Sequence, residues 1–242
     1  MRAIWSTIWS IASCERVTGG IEVVRHPRAR RLKLRVDPVT GVARLTLGPR
    51  MALRPALAWA ATQGDWIAAQ RARVAPPHVI VPGATLPFDG PELVIDWAPG
   101  RPRRVQRDGE RLVCGGPVET IAARVLRWLR AEALAVLTME TRACADLGEI
   151  TVAQVAVGDP RGRWGSCTGA GAIRYSWRLV MAPGWVRRAV VAHEVAHRVH
   201  MNHGAEFNAL AARLNGDDPA ASRAWLAAHG ARLHGIGRGS GG

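Results

Sequence analysis

The run His193-Glu194-Val195-Ala196-His197 constrains this chain more than any other stretch. Residues i and i+4 of an α-helix lie about one turn apart on the same face, so His193 and His197 can aim two ring nitrogens at one ion. Zinc held for chemistry takes three protein ligands and keeps a position open. His203, six residues beyond His197, is the third candidate if the helix stops near Asn202 or Gly204, residues that tolerate a left-handed turn. Glu194 then remains free as a general base. Pro183-Gly184 starts the helical pattern, and small Val195 and Ala196 fill the space between the two ligands. His200 reads as a neighbour of the site rather than a fourth ligand, since four protein ligands would close it. Glu206 reads as an acid in the first turn of the next helix.

The 242 residues are 48% hydrophobic, ample for a core. The formal charge of +14 comes almost wholly from arginine, Lys33 being the one lysine. Arg25, Arg28, Arg30, Arg31, Lys33 and Arg35 form one dense basic run, and Arg101, Arg103, Arg104 and Arg107 another. Each reads as a solvated face or as a surface for nucleic acid, and neither interleaves with aromatic residues in the sequence. The four cysteines, Cys14, Cys114, Cys144 and Cys167, form no CxxC pair, which argues against a zinc ribbon or a disulfide framework and fits the cytoplasm. Ile4, Trp5, Ile8, Trp9 and Ala12 fall on one helical face, and Ser13-Cys14 resembles a lipoprotein processing site, so membrane association through this segment is the alternative. No run is long enough for a membrane span.

Along the chain, residues 1–20 read as an extension, 21–115 as a β-rich module, 116–230 as the catalytic domain and 231–242 as a flexible tail. Strands are expected at Ile21–Val24, Arg31–Val36 and Val42–Leu47 as a meander, followed by one helix over 54–73. Shorter strands are expected at Val79–Val81, Leu93–Trp97, Val105–Arg107 and Arg111–Cys114. A long helix over Val118–Leu147 backs the site, strands follow at Ile150–Val157, Arg161–Cys167 and Ile173–Leu179, and helices at Ala205–Leu214 and Pro219–Ala228 come after the histidine helix. No internal repeat stands out. The fold class is α+β: a β-rich N-terminal module, then a long backing helix, a small β-sheet and an active-site helix.

Arg163-Trp164-Gly165-Ser166-Cys167, Ile173-Arg174-Tyr175-Ser176-Trp177-Arg178-Leu179, the His193–His197 run and Met201-Asn202-His203 with Phe207 resemble the YgjP-like metallopeptidases, relatives of the SprT-like proteases. Asp65-Trp66-Ile67 and the arginine-rich strands extend the resemblance over residues 21 to about 215. Ser176 stands where the family usually has Asn, and the Cys-rich ribbon of some SprT-like proteins is missing. The metzincin pattern needs Gly where His200 stands and a later Met, and no Met follows Met201.

The resemblance implies a zincin-like core, Zn2+ as cofactor, a protein or peptide substrate, and peptide hydrolysis with Glu194 as base and His193, His197 and His203 as ligands. Trp164, Gly165, Ser166, Tyr175 and Arg178 are the substrate-side candidates, with Tyr175, Arg178 or backbone N–H groups of 161–167 facing the oxyanion. Trp164 and Trp177 read equally as core packing. Gly165 suits an extended peptide laid beside its strand. Two other classes stay open: a zinc-containing binding scaffold with little turnover, and a nucleic-acid-associated protease of the SprT-like kind.

Overall fold

The computed structural model describes residues 14–17, 20–37, 40–74, 78–160 and 162–237. The helix expected within residues 1–13 and the last residues of the expected tail lie outside them. The chain divides into two compact units, 1–75 and 76–242, so position 115/116 falls inside the second.

The first unit holds β1 (Cys14–Val17), β2 (Ile21–Arg25), β3 (Lys33–Val36) and β4 (Ala43–Leu47). Their order is β1-β2-β4-β3, with β2 and β4 parallel, so the expected meander is replaced by a crossover. The crossover loop is tied to the end of β4. His26 N–H donates to Leu47 O at 2.9 Å, and one arm of the Arg25 guanidinium donates to the carbonyls of Gly48, Pro49 and Met51 at 3.0–3.1 Å. The single helix expected over 54–73 is two, α1 (Leu53–Ala61) and α2 (Gly64–Arg71). The Thr62 hydroxyl donates to Trp59 O at 2.7 Å, so a side chain competes for the ladder where Gly64 offers little resistance to a break. Val23, Leu45, Leu47, Ala56 and Ala60 form this unit's small core.

The second unit opens with β5 (Thr85–Pro87), β6 (Glu92–Trp97), β7 (Gln106–Asp108) and β8 (Arg111–Cys114), ordered β5-β6-β8-β7. Val79–Val81 makes no strand. This sheet repeats the first: the outer pairs are antiparallel and the central pair parallel in both. Registers coincide, with Val23 opposite Leu45 and Ile95 opposite Leu112 as the buried central pairs. The crossovers match as Arg28-Ala29-Arg30-Arg31-Leu32-Lys33 and Arg101-Pro102-Arg103-Arg104-Val105-Gln106, and the central strands as Arg44-Leu45-Thr46-Leu47-Gly48 and Arg111-Leu112-Val113-Cys114-Gly115. Gly48 and Gly115 each lie against a crossover carbonyl, Ala29 O and Arg101 O, leaving no room for a Cβ. The chain therefore carries an internal structural repeat.

A 3-10 turn (Val118–Thr120) leads into α3 (Ile121–Leu147), 27 residues long. Its stripe of Ile121, Val125, Leu129, Ala133, Leu137, Thr141 and Cys144 is buried, at spacings of three and four that stay on one face. A three-stranded sheet follows, β9 (Gln154–Gly158), β10 (Gly165–Cys167) and β11 (Ala172–Ser176), ordered β10-β11-β9 with β10 at an edge. Residues 177–179, expected to extend β11, lie instead in a buried 3-10 turn (Trp177–Met181). Then come α4 (Gly184–Ala196), α5 (Ala205–Asn215) and α6 (Pro219–Gly235). Helix α6 runs past the expected Ala228. It is started by Asp218, whose carboxylate accepts from Ala220 N–H at 2.8 Å, and by Pro219 in the first turn. The second sheet, α3, the β9–β11 sheet and α4–α6 share one hydrophobic core. The α+β architecture matches the sequence expectation. No described helix is long and apolar enough to cross a membrane.

Candidate metal centre

Helix α4 is held at its outer end by charge and along its length by burial. Arg187, 6% exposed at its side chain, donates to both Glu140 oxygens on α3 at 2.8–3.0 Å and to Asp89 at 3.0 Å. Val186, Val191, Ala192, Val195 and Ala196 are fully buried against the core. The helix ends at Ala196, with His197 still right-handed at φ −63° and ψ −14°. Arg198 N–H to Val195 O and Val199 N–H to Ala196 O then tighten the chain into i to i+3 bonds. The left-handed turn expected at Asn202 and Gly204 is not used. Gly204 is extended, and Asp89 and Glu149 are the only non-glycine positive-φ residues among those described. Unwinding at 197–199 already redirects the chain, so no left-handed cap is needed.

This brings His203 back to the helix. The ligand atoms of His193, His197 and His203 all lie within 4.8 Å of one another, and His193 Nε2 is 3.2 Å from His203 Nε2. Two nitrogens on a tetrahedral zinc at roughly 2.0–2.1 Å are about 3.3 Å apart, so this pair has the spacing of two ligands of one ion. His197 Nδ1 lies 3.0 Å from the His200 carbonyl, which can only accept, so Nδ1 carries the proton and Nε2 keeps its lone pair. His200 thus acts through its backbone. Its ring Nδ1 is 3.7 Å from Glu206, which is exposed in the first turn of α5. Phe207, 2% exposed, packs its ring 4.5–5.0 Å from all three imidazoles and dries one side of the cluster.

Glu194 is 5% exposed, and its Oε2 has no hydrogen-bond partner among the described residues. Burial pushes its carboxyl up to about 7, with Arg163 pulling the other way. Burial, then the charges of His197 and His203, lowers His193 to about 4, so its imidazole is neutral near pH 7. A cation fits this donor set. The His193 ring is neutral, as a ligand must be, and a buried carboxylate oxygen of Glu194 is left for a polar partner.

The family model of the YgjP-like metallopeptidase domain matches residues 30–229. The chain belongs to the YgjP-like metallopeptidase family. Comparison with curated proteins and with solved structures gives no match.

The YgjP-like signature segments divide into those facing the histidines and those behind them. Gly165 faces Glu194: a Cβ there would stand 2.6–2.7 Å from the Glu194 Cγ and Cδ. The glycine expected to make room for a peptide makes room first for the carboxylate. Ser166 is half-buried opposite Arg174 on β11. Trp164 is half-buried, stacked on His234 at 4.4 Å with Gly230 beneath it, so its ring serves packing between β10 and α6.

Tyr175 and Arg178, expected on the substrate side, are both at 0% exposure. The Tyr175 hydroxyl bonds Thr141 on α3 at 3.0 Å, and burial raises its pKa far above that of a free phenol. Arg178 is bound to Asp159 and to the carbonyl of Ile236, and lies over Trp177 at 4.3 Å. Alternation explains the difference: β11 sends Tyr175 into the core, and the 3-10 turn then carries Arg178 under α6. Two cations missed in the sequence act here. Arg163 bears on Glu194, and Arg223, from the first turns of α6, bears on His193. Arg163 opens a recognised segment without having been assigned a role, and nothing in the spacing of Arg223 pointed to the site. Cys114, Cys144 and Cys167 are free thiols.

Proposed function

We propose that this YgjP-like chain is a zinc-dependent peptidase in which His193, His197 and His203 hold the ion and Glu194 is the general base. The observation that supports it most is the buried, unpartnered Glu194 carboxylate beside a cluster of three imidazoles. Zinc would supply Lewis acidity, making water nucleophilic near pH 7 and polarising the scissile carbonyl. Glu194 accepts the proton of the attacking water and returns it to the leaving amine. Its pKa of about 7 describes the protein without an ion, and a nearby cation draws it down into the range where the base is ionised. Gly165 leaves the carboxylate room to swing between these two proton partners. β10 is an edge strand, and its outer side suits an extended peptide added as a further strand. Phe207 and the buried face of α4 shield one side of the imidazole cluster, while His203 stays exposed.

Dialysis against a strong chelator should abolish cleavage of an unfolded protein substrate, and one equivalent of zinc should restore it. His203→Ala should lose most of the zinc, and His200→Ala should keep it. Full cleavage by protein shown to be metal-free, or zinc loss from the His200 variant alone, would refute this assignment.

A further inference from the structure

We propose a second site in the same unit: a groove for single-stranded nucleic acid between the arginine-rich crossover of the β5–β8 sheet and the first half of α3. The groove has a volume of about 1060 Å³ and is lined by Arg103, Arg104, Arg107, Arg124 and Arg127, with Phe88 and Trp128. It is separate from the histidine cluster. Trp128 and Thr141, which backs the cluster through Tyr175, are thirteen residues or about 20 Å apart along α3.

Three features select the ligand. The first is charge. None of the five guanidinium groups has a carboxylate partner among the described residues, whereas neighbouring Arg101 and Arg111 are both paired with Asp96. Glu132 is the one acid in the lining, so the groove keeps a strong positive potential that favours a polyanion. Arg124 is fixed in place by the carbonyls of Arg103, Gly115 and Pro117, and its charge stays uncompensated.

The second is the aromatic wall. Half-buried Trp128 lies 5.1 Å at 34° from Phe88, which is 6% exposed and has the Arg107 guanidinium 5.2 Å from its ring centre, so the ring left for a base is that of Trp128. Guanidinium groups beside a half-exposed ring bind phosphates and stack an unpaired base together, a combination that favours a single strand over an acidic peptide or a duplex. The volume lies at the upper end of the roughly 300–1,000 Å³ of a pocket for one small molecule, and the groove is open, so a strand can run through it.

The third is the internal repeat, which shows the same sheet with a helix closed directly on it. Strand pairing puts Leu34, packed on the first core, where the second copy has Arg107. Counted from Pro49 and Pro117, buried Ala56 and Ala60 of α1 stand where α3 has Arg124 and Trp128. In the first copy small side chains let the helix close on its sheet. In the second the same positions carry the cations and the ring that line an open groove.

The test is fluorescence anisotropy of a labelled twenty-nucleotide oligothymidylate with the full chain, across a salt series, with unlabelled polyglutamate as competitor. The wild type should bind, and polyglutamate should compete poorly. Arg104→Gln, Arg107→Gln and Arg127→Gln combined should weaken binding at least about tenfold and flatten the log–log salt slope by about 2, at about 0.7 per lost phosphate contact. Trp128→Leu should weaken binding about fivefold and leave the slope unchanged, as loss of one stacked base does. The matched change in the first copy, Arg28→Gln, Arg30→Gln and Arg31→Gln, should alter affinity less than about twofold. If the triple variant of the second copy folds poorly, Arg127→Gln alone gives the reading. Its side chain is exposed and makes no hydrogen bond among the described residues, and a weakening of about threefold supports the groove while no change refutes it. Absence of binding, equal competition by polyglutamate, or an equal loss from the first-copy variant would each overturn the proposal.

Discussion

The β1–β4 and β5–β8 sheets share strand order, register, an arginine-rich crossover and a glycine pressed against it. They differ in what is packed on them. The first closes over a core of five buried residues, two of them alanines of α1. The second is continuous with α3, and through α3 with the helix that carries His193 and His197. Even its β5–β6 turn is engaged, since Asp89 pairs with Arg187 on α4. The comparison teaches that the backbone plan sets neither function nor stability. The side chains of the helix that follows decide whether a copy is a closed module or the wall of a working site.

The most damaging change should be Arg187→Leu, which strands the nearly buried Glu140 carboxylate and cuts the link from the second sheet to α4. A loss of about 3–5 kcal/mol in urea unfolding, together with weaker metal retention, is expected. Retained stability would mean that the two regions are not joined through this arginine. Next in size are the matched core truncations Leu45→Ala and Leu112→Ala, both at fully buried positions. Each should cost about 2–5 kcal/mol locally, and only Leu112→Ala should increase the rate of zinc loss. Equal effects on zinc from both would break the distinction between closed module and site wall. The smallest effects belong to Gly48→Ala and Gly115→Ala, where the added methyl meets a crossover carbonyl. About 1–3 kcal/mol is expected from each, with oligonucleotide affinity disturbed only by Gly115→Ala, because its crossover carries Arg103 and Arg104.

What the sequence revealed depends on whether a feature is local. His193, Glu194 and His197 sit on one helical face, so their geometry follows from spacing alone, and His203 lies close enough in the chain to be reached by one turn. The long helix and most strands carry their own periodicity. Long-range pairing was hidden. Strand β2 lies parallel to β4 because Arg25 binds three carbonyls some two dozen residues away. The repeat rests on a short shared R-x-R-R pattern and on register, while the intervening residues differ. Tyr175 and Arg178 sit in a recognised segment, but which way each points is set by the partners Thr141 and Asp159. The arginine run lacks aromatics in the sequence, and Phe88 and Trp128 join it only in the folded unit.

The measurement that bears most directly on the central claim compares wild type and Glu194→Gln, both carrying one equivalent of zinc, on the same unfolded protein substrate. Glutamine keeps the shape that Gly165 accommodates but cannot take the proton. The account predicts equal zinc content, an unchanged melting profile within about 1 kcal/mol, and cleavage lowered by about 10²–10⁴-fold. Cleavage at the wild-type rate by the zinc-loaded variant would contradict it.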